Sequence, residues 1–202
     1  VMPGGESMGG VQQGNTNSQS LTMSDLDAIR SQSKAVSKIS PEVRSSGQVI
    51  YGNKNTPTSI FGTNAEYLDI RKITLKSGRV FTNAEIKSAA KVCLIGKTVI
   101  TNVFGENVDP TGLIIRFKSI PFKIIGVLSE KGQSTFGQDQ DDLIIAPYPS
   151  VQKRILAITY IQSIYASAID ETNAPMAKIE IETILRAKHK IKDGDNNDFT
   201  VR

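Results

Sequence analysis

The alternation of apolar and polar positions sets in only after residue 20. Residues 1–20 are rich in Gly, Ser, Asn and Gln with almost nothing to bury, which predicts a flexible lead-in or a long exposed loop. Thr22 followed by Asp25 is a capping-box arrangement, and Leu26 and Ile29 behind it stand at helical spacing. A helix is therefore expected to run to about Ser33. Residues 36–43 read as a strand, with Pro41 near an edge. Residues 48–51 and 56–63 read as a hairpin around the polar turn 52–55.

The middle of the chain repeats short elements. A helical turn is predicted at 64–67, and a short helix opens at Thr82 with Glu85 completing a second capping box. A strand over 91–95 leads to a helix over 97–104 that Gly105 closes. Asp109-Pro110-Thr111-Gly112 is a turn, and residues 113–118 and 122–128 predict a second hairpin joined through 119–121. A polar loop over 132–142 precedes an apolar strand at 143–147 and a short helix at 150–156. The last stretch is a strand over 160–169, then a helix with Pro175 in its first turn, then a closing strand over 198–202. That helix carries Ala177, Ile181, Ile184, Leu185 and Lys188 on one stripe, and Gly194 is expected to end it. The order of elements suggests an α+β layer made from both chain ends, with the middle as an insertion.

Composition narrows the class. Hydrophobic residues are 39% of the chain and charged residues 22%, as in a folded domain. There is no Trp and the aromatic fraction is 6%, so the core must be built mainly from Ile, Val, Leu and Ala. The formal charge is +4, but 20 acidic residues are interleaved with the basic ones, and no element concentrates cations with aromatics as a nucleic-acid binder would. The one basic run, Arg186, Lys188, His189, Lys190 and Lys192, reads as a helix C-terminus complementing the helix dipole. Cys93 is the only cysteine, flanked by Val92 and Leu94, which suggests a buried strand thiol. No apolar run approaches the ~18–20 residues that span a bilayer, and the chain opens without an initiator Met or signal-peptide pattern. It reads as a piece of something longer.

Sites for chemistry fall short one by one. Gly96-Lys97-Thr98 lies between a strand and a helix as in a phosphate loop, but the required earlier Gly is replaced by Lys91. His189 and Cys93 are single residues, too few for a zinc site, and no Ser has the setting of a nucleophile elbow. The carboxylates of residues 139–142 and of Asp193, Asp195 and Asp198 do not match the calcium-loop template. No catalytic residue, cofactor or metal ligand is expected.

Residues 131–142, Lys-Gly-Gln-Ser-Thr-Phe-Gly-Gln-Asp-Gln-Asp-Asp, are followed by Leu143-Ile144-Ile145-Ala146-Pro147-Tyr148. This segment resembles the periplasmic core domain of MacB-like ABC transporter permeases, in which a Gly-rich stretch ends in a Gln-Asp-Gln-Asp-Asp run before an apolar strand. Other phrases are similar in the same order: Gly62 with Tyr67, Ser77-Gly78-Arg79-Val80-Phe81, Asn102-Val103-Phe104-Gly105, Asp109-Pro110-Thr111-Gly112 and residues 121–127. The resemblance implies a porter-like α+β subdomain formed by residues 21–63 and 159–202, with an inserted mixed α/β, Sabre-like subdomain over 64–158. It also implies a bacterial inner-membrane protein whose domain here lies in the periplasm. There the domain would act by mechanotransmission, coupling cytoplasmic ATP hydrolysis to extrusion of periplasmic substrates. The implied partners are a MacA-like adaptor, a TolC-like outer-membrane channel, an ATPase domain or subunit, and a second copy in a homodimer. Phe136, Gln138, Asp139, Gln140, Asp141 and Asp142 are the candidate loop, either touching a partner or holding its own shape through side-chain bonds to backbone. The alternative is a periplasmic ligand-binding or sensor domain of a membrane protein.

Overall fold

The structure is a computed structural model and describes residues 1–4, 20–135 and 137–202. In chain order the elements are β1 (Met2–Pro3), α1 (Met23–Gln32), β2 (Val36–Tyr51), β3 (Lys54–Thr63), α2 (Glu66–Ile70), β4 (Leu75–Gly78) and α3 (Asn83–Lys87). They continue with β5 (Val92–Ile95), α4 (Lys97–Phe104), β6 (Ile114–Phe117), β7 (Ile120–Leu128), β8 (Leu143–Pro147) and α5 (Tyr148–Ser150), which widens into a π-helical turn, Val151–Leu156. Last come β9 (Ser163–Ala168), α6 (Ala174–Lys188) and β10 (Phe199–Thr200). The chain divides into two units, Val1–Glu42 with Thr159–Arg202, and Val43–Ile158.

In the unit made of both chain ends, α1 starts as its capping box predicts: the backbone N–H and the hydroxyl of Thr22 both donate to Asp25 Oδ2, at 2.7 and 2.8 Å. Residues 36–42 of β2 pair antiparallel with β9, and β1 pairs antiparallel with β10. Helix α6 buries Ala177, Ile181, Ile184 and Leu185, the stripe expected from 3.6-residue spacing, and packs on α1. Glu180 joins these helices: its Oε2 accepts from the Ser33 hydroxyl at 2.6 Å and from the amides of Lys34 and Ala35 at 2.8 and 3.0 Å. These bonds, the Ser33 hydroxyl first, hold the Glu180 carboxyl below its ordinary pKa.

The second unit is a closed six-strand mixed barrel. Around the ring, β2 pairs antiparallel with β3, β3 parallel with β8, β8 antiparallel with β5, β5 parallel with β7, β7 antiparallel with β6, and β6 antiparallel with β2. Strand β4 adds to β7. Strands β3 and β6 alternate buried and exposed positions, whereas β7 is buried continuously from Ile124 to Leu128. Val49, Ile60, Leu94, Ile115, Phe117, Phe122, Ile124 and Ile145 are fully buried, an aliphatic core with few rings as composition requires. Helix α4 packs against β3 and β8.

Several expectations change. Within the predicted lead-in, Met2–Pro3 form a strand; apart from Val1, Gly4 and Ser20, the rest of that stretch lies outside the described residues. The two segments 36–43 and 48–51 are one strand, because the polar stretch between them pairs across to β3, Ser46 with Ser59 at 3.2 Å and Arg44 to Ser59 at 3.0 Å. The helical turn predicted at 64–67 is α2, shifted to Glu66–Ile70. The second hairpin turns at Lys118 and Ser119, both at positive φ (46 and 68), and Pro121 lies within β7 opposite Arg116. The closing strands are short, Ser163–Ala168 and Phe199–Thr200; α6 ends at Lys188, not at Gly194, because Lys190 turns to positive φ (58), and Lys188 is exposed rather than on the buried stripe. The boundary expected at 63/64 falls at 42/43, since β3 has its pairing partners in the barrel.

Candidate functional site

Strand β7 ends at Leu128, and the chain does not re-enter the barrel until β8 begins at Leu143. The connection between them is fastened at its base by one side chain. Asp141 is buried, and its two carboxylate oxygens accept the backbone N–H groups of Lys131 and Gly132, each at 2.8 Å. Above this clamp the Gln140 amide donates to Gly132 O at 3.1 Å, Gln133 and Asp139 form an antiparallel bridge, and the Ser134 amide donates to Gln138 O at 2.8 Å. The Lys131 ammonium donates to Arg71 O at 2.7 Å; burial first, and the Arg71 charge second, lower its pKa. The loop is a small hairpin held by its own polar groups.

A second fastening reaches α4. Asp139 Oδ2 accepts from the Thr98 hydroxyl at 2.6 Å while its Oδ1 accepts the Asp141 amide at 2.8 Å. The Thr98 amide donates to Asp141 O at 3.3 Å, and the Gly96 amide donates to Leu143 O at 3.0 Å. Gly96 is required by contact rather than by dihedral angle: a Cβ there would stand 2.2 Å from Asp141 O. The segment that looked like a failed phosphate loop is thus the seat of the 131–142 connection. Its amides at Gly96 and Thr98 are already donated to the protein's own carbonyls, which leaves an anion little to bind.

The candidate residues therefore divide. Asp139 and Asp141 are engaged in holding the loop, Asp142 is half-buried, and Gln138 and Gln140 are exposed. Phe136 lies outside the described residues. Thr98 and Gly96 belong to the same cluster but were read only for phosphate chemistry; the usable signal was a Gly at a strand–helix junction, which marks a close backbone approach.

Elsewhere, Cys93 is fully buried, and burial pushes its thiol pKa far up, away from nucleophilic use. His189 does sit at the C-terminus of α6, but its ring faces inward. Nδ1 is 2.7 Å from Asp198 Oδ1, Nε2 is 3.4 Å from Asp25 Oδ1, and the ring stands edge-on to Phe199 at 5.7 Å. The two nitrogens point to carboxylates on opposite sides, so the ring bridges them instead of converging with them on one point. Among the described residues no group of three His, Cys, Asp or Glu side chains is arranged to hold a metal ion. No helix among the described residues is long and apolar enough to cross a membrane.

Comparison with known proteins places this architecture. The family model of the MacB-like periplasmic core domain matches residues 1–184. A macrolide export ATP-binding/permease protein MacB of Syntrophobacter fumaroxidans is 40% identical over 157 residues, covering 77% of this chain and 22% of that protein. Its counterpart in Chlorobaculum tepidum is 33% identical over 202 residues, covering 100% of this chain and 31% of that protein. The chain thus spans under a third of the length of these relatives. Among solved structures, the periplasmic region of MacB from Actinobacillus actinomycetemcomitans superposes with a TM-score of 0.78 at 26% identity, covering 95% of this chain and 84% of that one. The extracellular domain of the transporter YknZ from Gram-positive bacteria shares the fold, with a TM-score of 0.77 at 19% identity and 96% coverage of both chains. By matched length and by fold, this chain belongs to the MacB-like periplasmic core domain family.

Proposed function

We propose that this chain is the extracytoplasmic module of a MacB-like export permease and that it works mechanically. In this reading the unit made of both chain ends is the porter-like part and receives movement from membrane helices. The barrel unit is the Sabre-like part. ATP hydrolysis belongs to a region of the whole transporter beyond this chain, and a pair of modules drives periplasmic substrates into an adaptor and an outer-membrane channel. The relatives named for macrolide export favour an amphiphilic small-molecule cargo. The family match along residues 1–184 carries the reading.

The 131–142 loop is the partner-facing element in this proposal. Its carboxylates at 139 and 141 are engaged by amide and hydroxyl donors of the protein itself, so the loop is preshaped, and Gln138 and Gln140 are left exposed to meet another protein. The test uses the whole transporter with Gln138→Arg and Gln140→Arg combined. Adaptor co-purification and macrolide export should both fall, with the melting temperature of the module unchanged. Unchanged adaptor capture would remove the loop from the interface, and undiminished export in a strain lacking the adaptor would overturn the coupling itself.

One observation favours the ligand-binding alternative. The barrel unit has an open cavity of about 310 Å³ floored by Ile100, Val127 and Leu128, with Lys76, Lys97 and Glu130 at its mouth. This lies at the lower end of the ~300–1,000 Å³ range of ligand pockets. A small amphiphile binding there at micromolar concentration, in a protein without export activity, would favour sensing over transport.

A further inference from the structure

Two lysines from different elements meet at the open cavity of the barrel unit. Strand β4 pairs with β7 so that Leu75 is opposite Leu128 and Ser77 opposite Val127, which makes Lys76 the extra residue of a β-bulge. Bulges re-aim side chains, and this one places Lys76 at the cavity rim beside the end of β7. Lys97 opens α4, and Ile100, three residues on, lies on the same helix face and in the cavity floor. After α4 the chain turns at Asn107, which is left-handed at φ 58, and brings Val108 to the lip. The floor is apolar and nearly closed: Ile100, Val127 and Leu128 are at most 6% exposed.

We infer that this cavity binds a small amphiphile with one carboxylate head, its chain on the floor and its head between Lys76 and Lys97. Net charge does not select the sign, because the rim also carries the carboxylates of Glu130 and Asp109. Hydrogen bonding does. Asp109 Oδ1 already accepts from the Thr111 amide and hydroxyl, at 3.0 and 2.6 Å. Lys76 and Lys97 stand 4.0 and 3.9 Å from the same Glu130 oxygen, beyond hydrogen-bonding reach, and neither ammonium donates to any other protein atom among the described residues. The uncommitted groups are therefore donors, and an anionic head uses both. A cationic head would be left with Glu130 and would meet two ammonium groups beside it. Lys97, at 30% side-chain exposure, is better shielded from solvent than Lys76 at 62% and makes the stronger contact. The volume of about 310 Å³ holds about ten water-sized groups at ~30 Å³ each, which fits a carboxylate on a chain of about seven carbons. The inference rests neither on the transport reading nor on the sensing one.

The test titrates octanoate into the 202-residue chain and follows the methyl groups of Ile100, Val108, Val127 and Leu128 by proton–carbon NMR. Saturable shifts are expected there, with a dissociation constant below about 1 mM. Lys97→Ala should weaken binding several-fold, Lys76→Ala less, and the two together at least tenfold. Lys54→Ala, at an exposed position of β3, should leave it unchanged. Far-UV circular dichroism checks that each variant folds. Glu130→Gln removes the competing carboxylate and should tighten octanoate several-fold, a gain that a damaged fold cannot imitate. Octylammonium, with the same chain length and the opposite charge, should bind more weakly than octanoate, and Glu130→Gln should weaken it further. No saturable shift at tenfold the expected dissociation constant, octylammonium binding as tightly as octanoate, or indifference to the lysine and Glu130 changes each overturns the inference. Octanoate binding by a chain whose transporter exports nothing would leave the inference standing and count against the proposed function.

Discussion

Replacing Gly96 with Ala tests whether the 131–142 loop is seated on the start of α4 by backbone contact. The added Cβ would stand 2.2 Å from Asp141 O, 3.0 Å from Asp141 C and 3.2 Å from Leu143 O, where ordinary contacts begin at 3.4 Å. The obstructing atoms are backbone, so the loop must retreat by about 1 Å, a shift that core-like packing does not absorb freely. Such a shift breaks the 2.6 Å bond from the Thr98 hydroxyl to the Asp139 carboxylate and the 3.0 Å bond from the Gly96 amide to Leu143 O. The first, to a charged acceptor, is worth about 1.5–3 kcal/mol and the second about 1 kcal/mol. The expected cost is about 3 kcal/mol, which for a chain of this length lowers the melting temperature by roughly 6–12 °C. Hydrogen exchange should quicken at the amides of Lys131, Gly132 and Gln140, whose acceptors lie in the loop. Thr98→Val removes only the hydroxyl bond and should cost about half as much. The double variant should cost less than the sum, since both changes act on one contact. A Gly96→Ala protein that melts within 2 °C of the parent, with unchanged protection in the loop, would refute the argument.

Three further outcomes follow from the same structure. Asp141→Ala leaves the amides of Lys131 and Gly132 without their acceptor and should cost about 2–3 kcal/mol in urea unfolding, more than Asp139→Ala; equal costs would show that the clamp is shared differently. Glu85 forms a bidentate pair with Arg79 at 2.8 Å on both arms, and the hydrogen bonds from Arg79, with the Thr82 amide, depress its pKa from 4.5 to about 2. A depressed carboxyl contributes stability that is full above pH 4.5 and lost as pH falls toward 2. With Arg79 at 55% exposure that contribution is about 1 kcal/mol. Glu85→Gln should therefore lower stability at pH 7 by that amount and flatten the acid limb of the stability profile; an unchanged acid limb would contradict the assignment. His189→Ala removes a nearly buried ring from between Asp25 and Asp198 and should destabilise the unit of the chain ends by about 2 kcal/mol, seen as faster exchange in α1; a loss confined to the barrel would contradict it.

What the sequence revealed of this fold was set by how local each cause is. Helices α1 and α3 were readable because Thr22–Asp25 and Thr82–Glu85 are contained within four residues, and α6 because its buried stripe repeats every turn. Strands β5 and β8 were readable as apolar runs. Barrel closure was not, because it depends on β6 meeting β2 at Val49 with Phe117 and Ile50 with Arg116, a pairing that neither strand's pattern specifies. The β1–β10 pair joins residues from opposite ends of the chain, with no periodicity in Met2-Pro3 to announce it. His189 was hidden by its neighbours: among Lys188, Lys190 and Lys192 it scored as one more surface cation, whereas two of its three close partners, Asp198 and Phe199, lie just past the helix and the third, Asp25, is in α1.

The candidate site shows the same boundary between local and distant causes. A Gly between a strand and a helix means that something comes close to the backbone there, and sequence alone does not say whether that is a phosphate or the protein's own chain. The deciding fact is where the first amides of the helix point. In a phosphate loop they are turned toward the ligand. Here the Gly96 and Thr98 amides are donated to Leu143 O and Asp141 O, from a segment more than forty residues further along. The missing Gly at Lys91 argues against phosphate, but only the occupied amides supply the positive reading, a seat for the loop. Two members of the acidic run, Asp139 and Asp141, are explained by the same contact. Asp139 and Asp141 supply acceptors to a helix start and to two loop amides that would otherwise be left with no partner in the protein, and a carboxylate accepts several such donors at once where an amide side chain offers one oxygen. Substituting Asn at position 141 should therefore recover only part of what Ala loses.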